Sequence, residues 1–191
     1  MSALLKQRAA VNFCRTHPGK AFDEGMYDEL LRWKITQEPA EPEYVVYILE
    51  NLWERGREEL RLLGVTTVSE AFIRMMDFIR GGTNSGVLCG PEGKPIIVTG
   101  MFREDTGQMV TWFQATEEFT KYVEPITRLM MHEIECYGGD ISVYSVCVHP
   151  QTERWFKLMG FLPDGWTETL PSGATMRRFT KAAVEIECSV C

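Results

Sequence analysis

The chain has 191 residues, 45% hydrophobic and 25% charged, the usage of one globular domain large enough to bury most of the surface its unfolded form exposes. Its 27 acidic residues against 20 basic ones leave a formal charge of -7, which argues against a nucleic-acid partner held through its phosphates. No apolar run approaches the roughly 20 residues of a membrane span, and the start, MSALLKQRAAVNF, has no apolar core followed by a small-residue cleavage signal, so a cytoplasmic protein is expected.

In chain order, residues 10–14 (AVNFC) read as a short strand broken by His17-Pro18-Gly19. Across 22–33, Phe22, Met26, Leu30 and Trp33 fall near helical spacing, which predicts about three turns of helix ahead of a linker, Gln37-Glu38-Pro39-Ala40-Glu41-Pro42. From Tyr44, the residues Val45, Ile48, Leu49, Leu52, Leu60 and Leu63 share one face opposite Glu50, Glu54, Arg57, Glu58 and Arg61, predicting a helix closed by Gly64. A further helix runs from an N-cap at Ser69 through Phe72, Met75, Met76 and Ile79 to Gly81-Gly82, its apolar stripe read as core. Residues 86–89 and 95–102 then read as strands joined by Gly90-Pro91-Glu92-Gly93. A third strand, 109–114, follows the turn Glu104-Asp105-Thr106-Gly107 and completes an antiparallel meander.

Residues 109–161 organise the chain. Two β-rich runs, 109–114 and 141–148, bracket a helix of periodic apolar residues, and parallel strands need a crossover of this length, so the site is expected where these strands end. Between them, Thr116 is expected to cap a short helix with Glu117 and Glu118 in its first turn, and Pro125 to open the next helix. Tyr144 and Ser145 lie on opposite strand faces, so at most one meets a cleft. After the turn Leu162-Pro163-Asp164-Gly165, residues 166–170 and 174–180 read as two strands around Pro171-Ser172-Gly173. The six cysteines read as partly buried thiols, including the terminal Cys188 and Cys191, whose lone C-x-x-C has no second pair to build a metal site.

The order and the residues together resemble a known family. Trp112-Phe113 ending the fourth strand, the helix 125–137, the strand ending in Val148-His149-Pro150, and Arg154-Trp155-Phe156-Lys157 ahead of Gly160-Phe161 resemble the GNAT acyltransferases. The closer resemblance is to small GNAT-like and internal virion proteins of podoviruses, and it covers about residues 83–181. It implies an α+β fold in one domain, 1–191: a central mixed sheet with splayed fourth and fifth strands and flanking helices, preceded by an enlarged helical part, 1–82, and followed by a tail, 182–191. It implies acetyl-CoA as cofactor, its pantetheine arm on the backbone of Trp112, Phe113 and Gln114, with Lys121 and Arg128 as the cations near its diphosphate. The activity implied is N-acetylation of a host protein during infection. The other reading is a non-catalytic GNAT-fold protein that binds a host protein, or a virion or morphogenesis component; oligomeric state is left open.

Two departures from the family pattern stand out. The family's Q/R-x-x-G-x-G/A loop falls between Gln114 and Ile126, where this chain has no glycine to let backbone approach a phosphate and has Glu117, Glu118 and Glu124 instead. The family's thiolate-protonating Tyr is Phe156 here; a phenyl ring has no proton to give and reads as core. His149, in place of the family's Asn, is a candidate base with an ordinary pKa of about 6.5, or a helix-entry residue bonded to backbone. Glu118, working through a water, is the other candidate base. Trp33, Tyr44, Tyr47 and Trp53 in the N-terminal part read as core or as interface.

Overall fold

A computed structural model describes residues 24–82, 84–146 and 149–183. Helix α1 (Glu24–Arg32) leads into strand β1 (Thr36–Pro39), then α2 (Pro42–Glu50), α3 (Glu54–Leu62) and α4 (Val68–Gly81). The meander β2 (Asn84–Cys89), β3 (Pro95–Arg103) and β4 (Met109–Ala115) follows. Next come α5 (Phe119–Tyr137), β5 (Ile141–Ser145), α6 (Pro150–Leu158), β6 (Leu162–Thr169) and β7 (Thr175–Lys181).

The strands form one sheet in the order β1-β2-β3-β4-β5-β7-β6. Every neighbouring pair is antiparallel except β4 and β5, the pair joined by the α5 crossover. Helices cover both faces. On one, Leu30 of α1, Ile126, Leu129, Met130 and Ile134 of α5 and Phe156 of α6 bury against Ile97, Met101, Met109, Ile141 and Val143. On the other, Val45, Ile48 and Leu49 of α2 and Ala71, Met75 and Met76 of α4 bury against Val87 and Val98. Each of these Val, Leu, Ile, Met and Phe side chains contributes about 1.5–3 kcal/mol on leaving water. The expected mixed sheet, meander and crossover are therefore present.

Several local expectations are corrected. The segment read as a linker holds β1, paired antiparallel to β2 from Thr36↔Cys89 to Pro39↔Gly86; at the sheet edge a proline costs no ladder bond. The single helix expected from Tyr44 is two. Asn51 closes α2 by donating from its side chain to the Tyr47 carbonyl at 2.8 Å, Leu52 bridges to Thr116, and the Trp53 N–H donates to the Ala115 carbonyl at 3.2 Å. Thr67, not Ser69, caps α4: its hydroxyl accepts the Glu70 N–H at 3.1 Å while the Glu70 carboxylate accepts the Thr66 N–H. Pro125 does not open a helix, because α5 begins at Phe119 and carries the buried Pro125 inside it; nor does Thr116 cap one, since its hydroxyl donates to the Ile96 carbonyl.

Strand β5 ends at Ser145, short of the expected 141–148. The strand at 10–14, the residues Cys147 and Val148, and the Cys188–Cys191 pair lie outside the described residues. Among those described, no helix is long and apolar enough to cross a membrane, and no group of three His, Cys, Asp or Glu could hold a metal ion.

Candidate functional site

Strands β4 and β5 pair at Met109↔Ile141 and Val110↔Ser142 and then part. Because side chains alternate, Val110, Trp112 and Gln114 of β4 and Tyr144 of β5 point to the α2–α4 face, while Phe113 and Val143 point to the α5–α6 face. The parting opens a cleft of about 580 Å³, a volume typical of small-molecule sites. Its two walls are aromatic. Phe78 of α4 stacks on Phe102 at 5.0 Å and tilts against Trp112 at 6.1 Å; across the cleft, Tyr144 meets Trp166 edge-on at 5.3 Å.

Charged groups sit among these rings. The Arg178 Nε donates to Asp164 at 2.6 Å with its guanidinium 5.5 Å from the Trp166 ring, and Arg74 pairs with Glu70 at 2.8 Å. The Tyr144 hydroxyl donates to Glu104 at 3.3 Å, and burial raises its phenol above the ordinary value. Glu59, projecting from α3 into the cleft, accepts the Val146 N–H at 3.1 Å just past the end of β5. Burial raises the Glu59 carboxyl above the ordinary carboxylate value, against the opposing hydrogen bonds from Val146 and the Ser145 side chain. A carboxyl poised this way, in a cleft, is a candidate for proton exchange or for holding a cation.

Of the residues singled out in the sequence, Trp112, Phe113 and Gln114 line this cleft, beyond the last β4–β5 pair. Glu118, Lys121, Arg128 and His149 do not line it. The Lys121 Nζ donates to both Glu118 oxygens at 2.8 and 2.9 Å, which raises the Lys121 pKa, and Arg128 bonds Glu29 and Glu124, each at 2.7 Å. His149 is the N-cap of α6, its Nδ1 accepting the Gln151 N–H at 3.2 Å. Phe156 is 1% exposed, packed on Phe179 at 5.1 Å and Phe161 at 6.3 Å.

Solved structures share this fold. A GNAT-family acetyltransferase from Bacillus anthracis matches with TM-score 0.56 at 9% identity, over 78% of this chain and 95% of its own. The ribosomal-protein-S5-alanine acetyltransferase from Vibrio fischeri matches with TM-score 0.52 at 13% identity, over 80% and 94%. The microcin C7 self-immunity acetyltransferase MccE, solved with acetyl-CoA and AMP, matches with TM-score 0.55 at 13% identity, over 78% and 92%. The chain has the GNAT acetyltransferase fold. No family model matches the chain, and no curated protein matches its sequence.

On this GNAT fold the donor's diphosphate would need free N–H groups where β4 turns into α5. Of these, the N–H groups of Phe119, Thr120 and Lys121 already donate to the carbonyls of Thr116, Glu117 and Glu118 at 3.1, 3.4 and 3.0 Å. The Glu117 and Glu118 carboxylates stand at the same turn, and no glycine lets backbone approach an anion. The residues present do not fit the diphosphate of acetyl-CoA. Sequence reasoning also passed over Glu59 and the Phe78, Phe102 and Trp166 walls, because what distinguishes them is where distant elements meet.

Proposed function

We propose that this chain is a GNAT-fold binding protein whose cleft holds a protonated amine with an apolar body, presented by a host or virion protein. The observation that carries this reading is the raised carboxyl of Glu59 among aromatic walls. An ammonium brought against it restores the carboxylate and gains a charge-assisted hydrogen bond worth about 1.5–3 kcal/mol. The rings of Trp112, Phe78, Tyr144 and Trp166 cover the apolar stem and favour a cation over their faces. The formal charge of -7 steers a basic partner toward the surface. The podovirus setting, in the host cytoplasm or the virion, comes from the sequence resemblance. Titration with a lysine-bearing peptide tests the reading: Glu59→Gln should weaken binding about tenfold or more, and equal affinity in the two proteins would refute it.

A second reading is acetyl-CoA-dependent N-acetylation of that amine, with Glu59 placed to take the ammonium proton. It is supported by the parted β4 and β5 and by the similarity to a structure solved with acetyl-CoA. The engaged N–H groups at the start of α5 weigh against it. Product detection with acetyl-CoA and the same peptide separates the readings, since only the second yields an acetylated amine.

A further inference from the structure

Three arginines line the cleft, and two of them hold acids of the chain itself: Arg74 pairs with Glu70 at 2.8 Å and Arg178 with Asp164 at 2.6 Å. The third is Arg55. Among the described residues no ion pair joins it to a carboxylate. Its Nη2 donates to the neutral Gln151 Oε1 of α6 at 2.6 Å, and its guanidinium lies 5.2 Å from the centre of the Trp53 ring. A guanidinium carries five N–H donors, so the bond to Gln151 fixes the direction of the side chain and leaves donors to spare.

Arg55 also stands four residues before Glu59 on α3, so the two side chains share one face of the helix, with about 5–6 Å between their Cβ atoms. Opposite charges at this spacing can bridge each other. Here they do not: Glu59 turns to the Val146 N–H past the end of β5, while Arg55 turns to Gln151 on α6. The cleft therefore holds a carboxyl and an arginine as separate poles, aimed at different elements. A ligand that serves both needs a stem between its two charges. Lysine has such a stem in its four methylenes, whereas an α-ammonium sits next to its own carboxylate.

We infer that the amine held in the cleft belongs to a lysine at the C-terminal end of a partner chain, its ammonium at Glu59 and its terminal α-carboxylate on Arg55. This rests on the proposed amine site and names the ligand class that the site takes. A carboxylate meets a guanidinium through two parallel charge-assisted N–H···O bonds, which the neutral amide of an interior lysine cannot match. The rings of Trp53 and Trp112, both in the cleft lining, cover the methylene stem. The formal charge of -7 by itself favours a ligand without the carboxylate, so a preference for the free acid has to come from a local cation.

Isothermal titration calorimetry of the full chain with Nα-acetyl-lysine and with Nα-acetyl-lysine amide, which differ only in the carboxylate, tests it on wild type and Arg55→Gln. Wild type should bind the acid about tenfold tighter than the amide, the worth of one charge-assisted contact. In Arg55→Gln the ratio of the two affinities should fall to about one. That ratio is taken within one protein, so a general loosening of the site, which weakens both titrants, leaves it unmoved. Equal affinity of wild type for acid and amide overturns the inference and leaves the amine site standing. Binding of neither overturns the amine site itself. A preference for the acid that survives in Arg55→Gln overturns the placing of the carboxylate on Arg55. Should that variant not fold, Arg55→Met replaces it with the same expected ratio, and the wild-type comparison needs no variant.

Discussion

Glu59 on α3 accepts the main-chain N–H of Val146 across 87 residues of sequence, tying the helix layer to β5 just where β4 has turned away. Burial raises this carboxyl above its ordinary value of 4.5, so the folded chain keeps the proton to higher pH than the unfolded chain does. The sign follows: stability is fully present below about pH 4.5 and is lost as pH rises through the raised folded-state value. Glu59→Gln keeps an acceptor for Val146 and removes the titration. Urea melts at pH 5 and pH 8 should show a smaller pH difference in the variant than in wild type; an unchanged difference would mean that Glu59 ionises as freely as in water.

A second partly buried acid gives an independent pH prediction. Glu133 of α5 accepts from the Gln37 Nε2 of β1 at 3.2 Å, beside a cavity of about 20 Å³ that has room for one water. Burial pushes its carboxyl up to about 7. Wild type should therefore lose on the order of 2–3 kcal/mol between pH 4.5 and pH 7.5, the window between its unfolded and folded values. Glu133→Gln should be more stable than wild type at pH 8, with a melting temperature higher by about 2–4 °C for each kcal/mol, and near wild type at pH 5. A variant that melts lower at pH 8 would show that the ionised carboxylate is well accommodated.

Phe156 fills the core beneath the cleft, 6.4 Å from Phe113 and 5.1 Å from Phe179. Phe156→Ala should cost about 3–5 kcal/mol by leaving a cavity. Phe156→Tyr, which installs the phenol of the wider family, should cost about 1–3 kcal/mol by burying an unpaired hydroxyl and should confer no acetyl transfer. Denaturant melts together with product detection check both statements.

Gly100 leaves room for the Trp112 ring that lines the cleft. A Cβ there would lie 2.6 Å from the Ser85 Oγ and 2.8 Å from the Trp112 Cζ2. Gly100→Ala should cost about 1–3 kcal/mol and, by displacing Trp112, weaken ligand binding in the cleft. Thermal melts and a ligand titration of the same sample read the two effects side by side; unchanged affinity in a destabilised variant would separate Trp112 from the site.

The parts of the fold legible in the sequence were those with their own periodicity: the meander, the α5 crossover, and the pairing of residues 109–114 with a parallel strand beginning at Ile141. Strand β1 was not, because Gln37-Glu38-Pro39 lacks β-branched residues and its order comes from pairing with β2. The break between α2 and α3 was hidden since Val45, Ile48, Leu49, Leu52 and Leu60 keep helical phase across it, while Leu52 is drawn off by Thr116. In the site, Trp112–Gln114 could be placed by their position at a strand end. Glu59 could not: on its helix it is one acid among several, and the Val146 N–H and Ser145 side chain that hydrogen-bond it come from the far end of β5.

The central claim is that the cleft binds an amine at Glu59 and that no acyl donor is taken up. Isothermal titration calorimetry near pH 6, repeated in two buffers of different ionisation heat, tests it most directly, with Nα-acetyl-lysine amide and acetyl-CoA as the titrants. The amine should bind with release of a proton, because an ammonium lowers the raised Glu59 carboxyl and drives it to ionise, and acetyl-CoA should give no heat. Heat from acetyl-CoA with none from the amine would contradict the account.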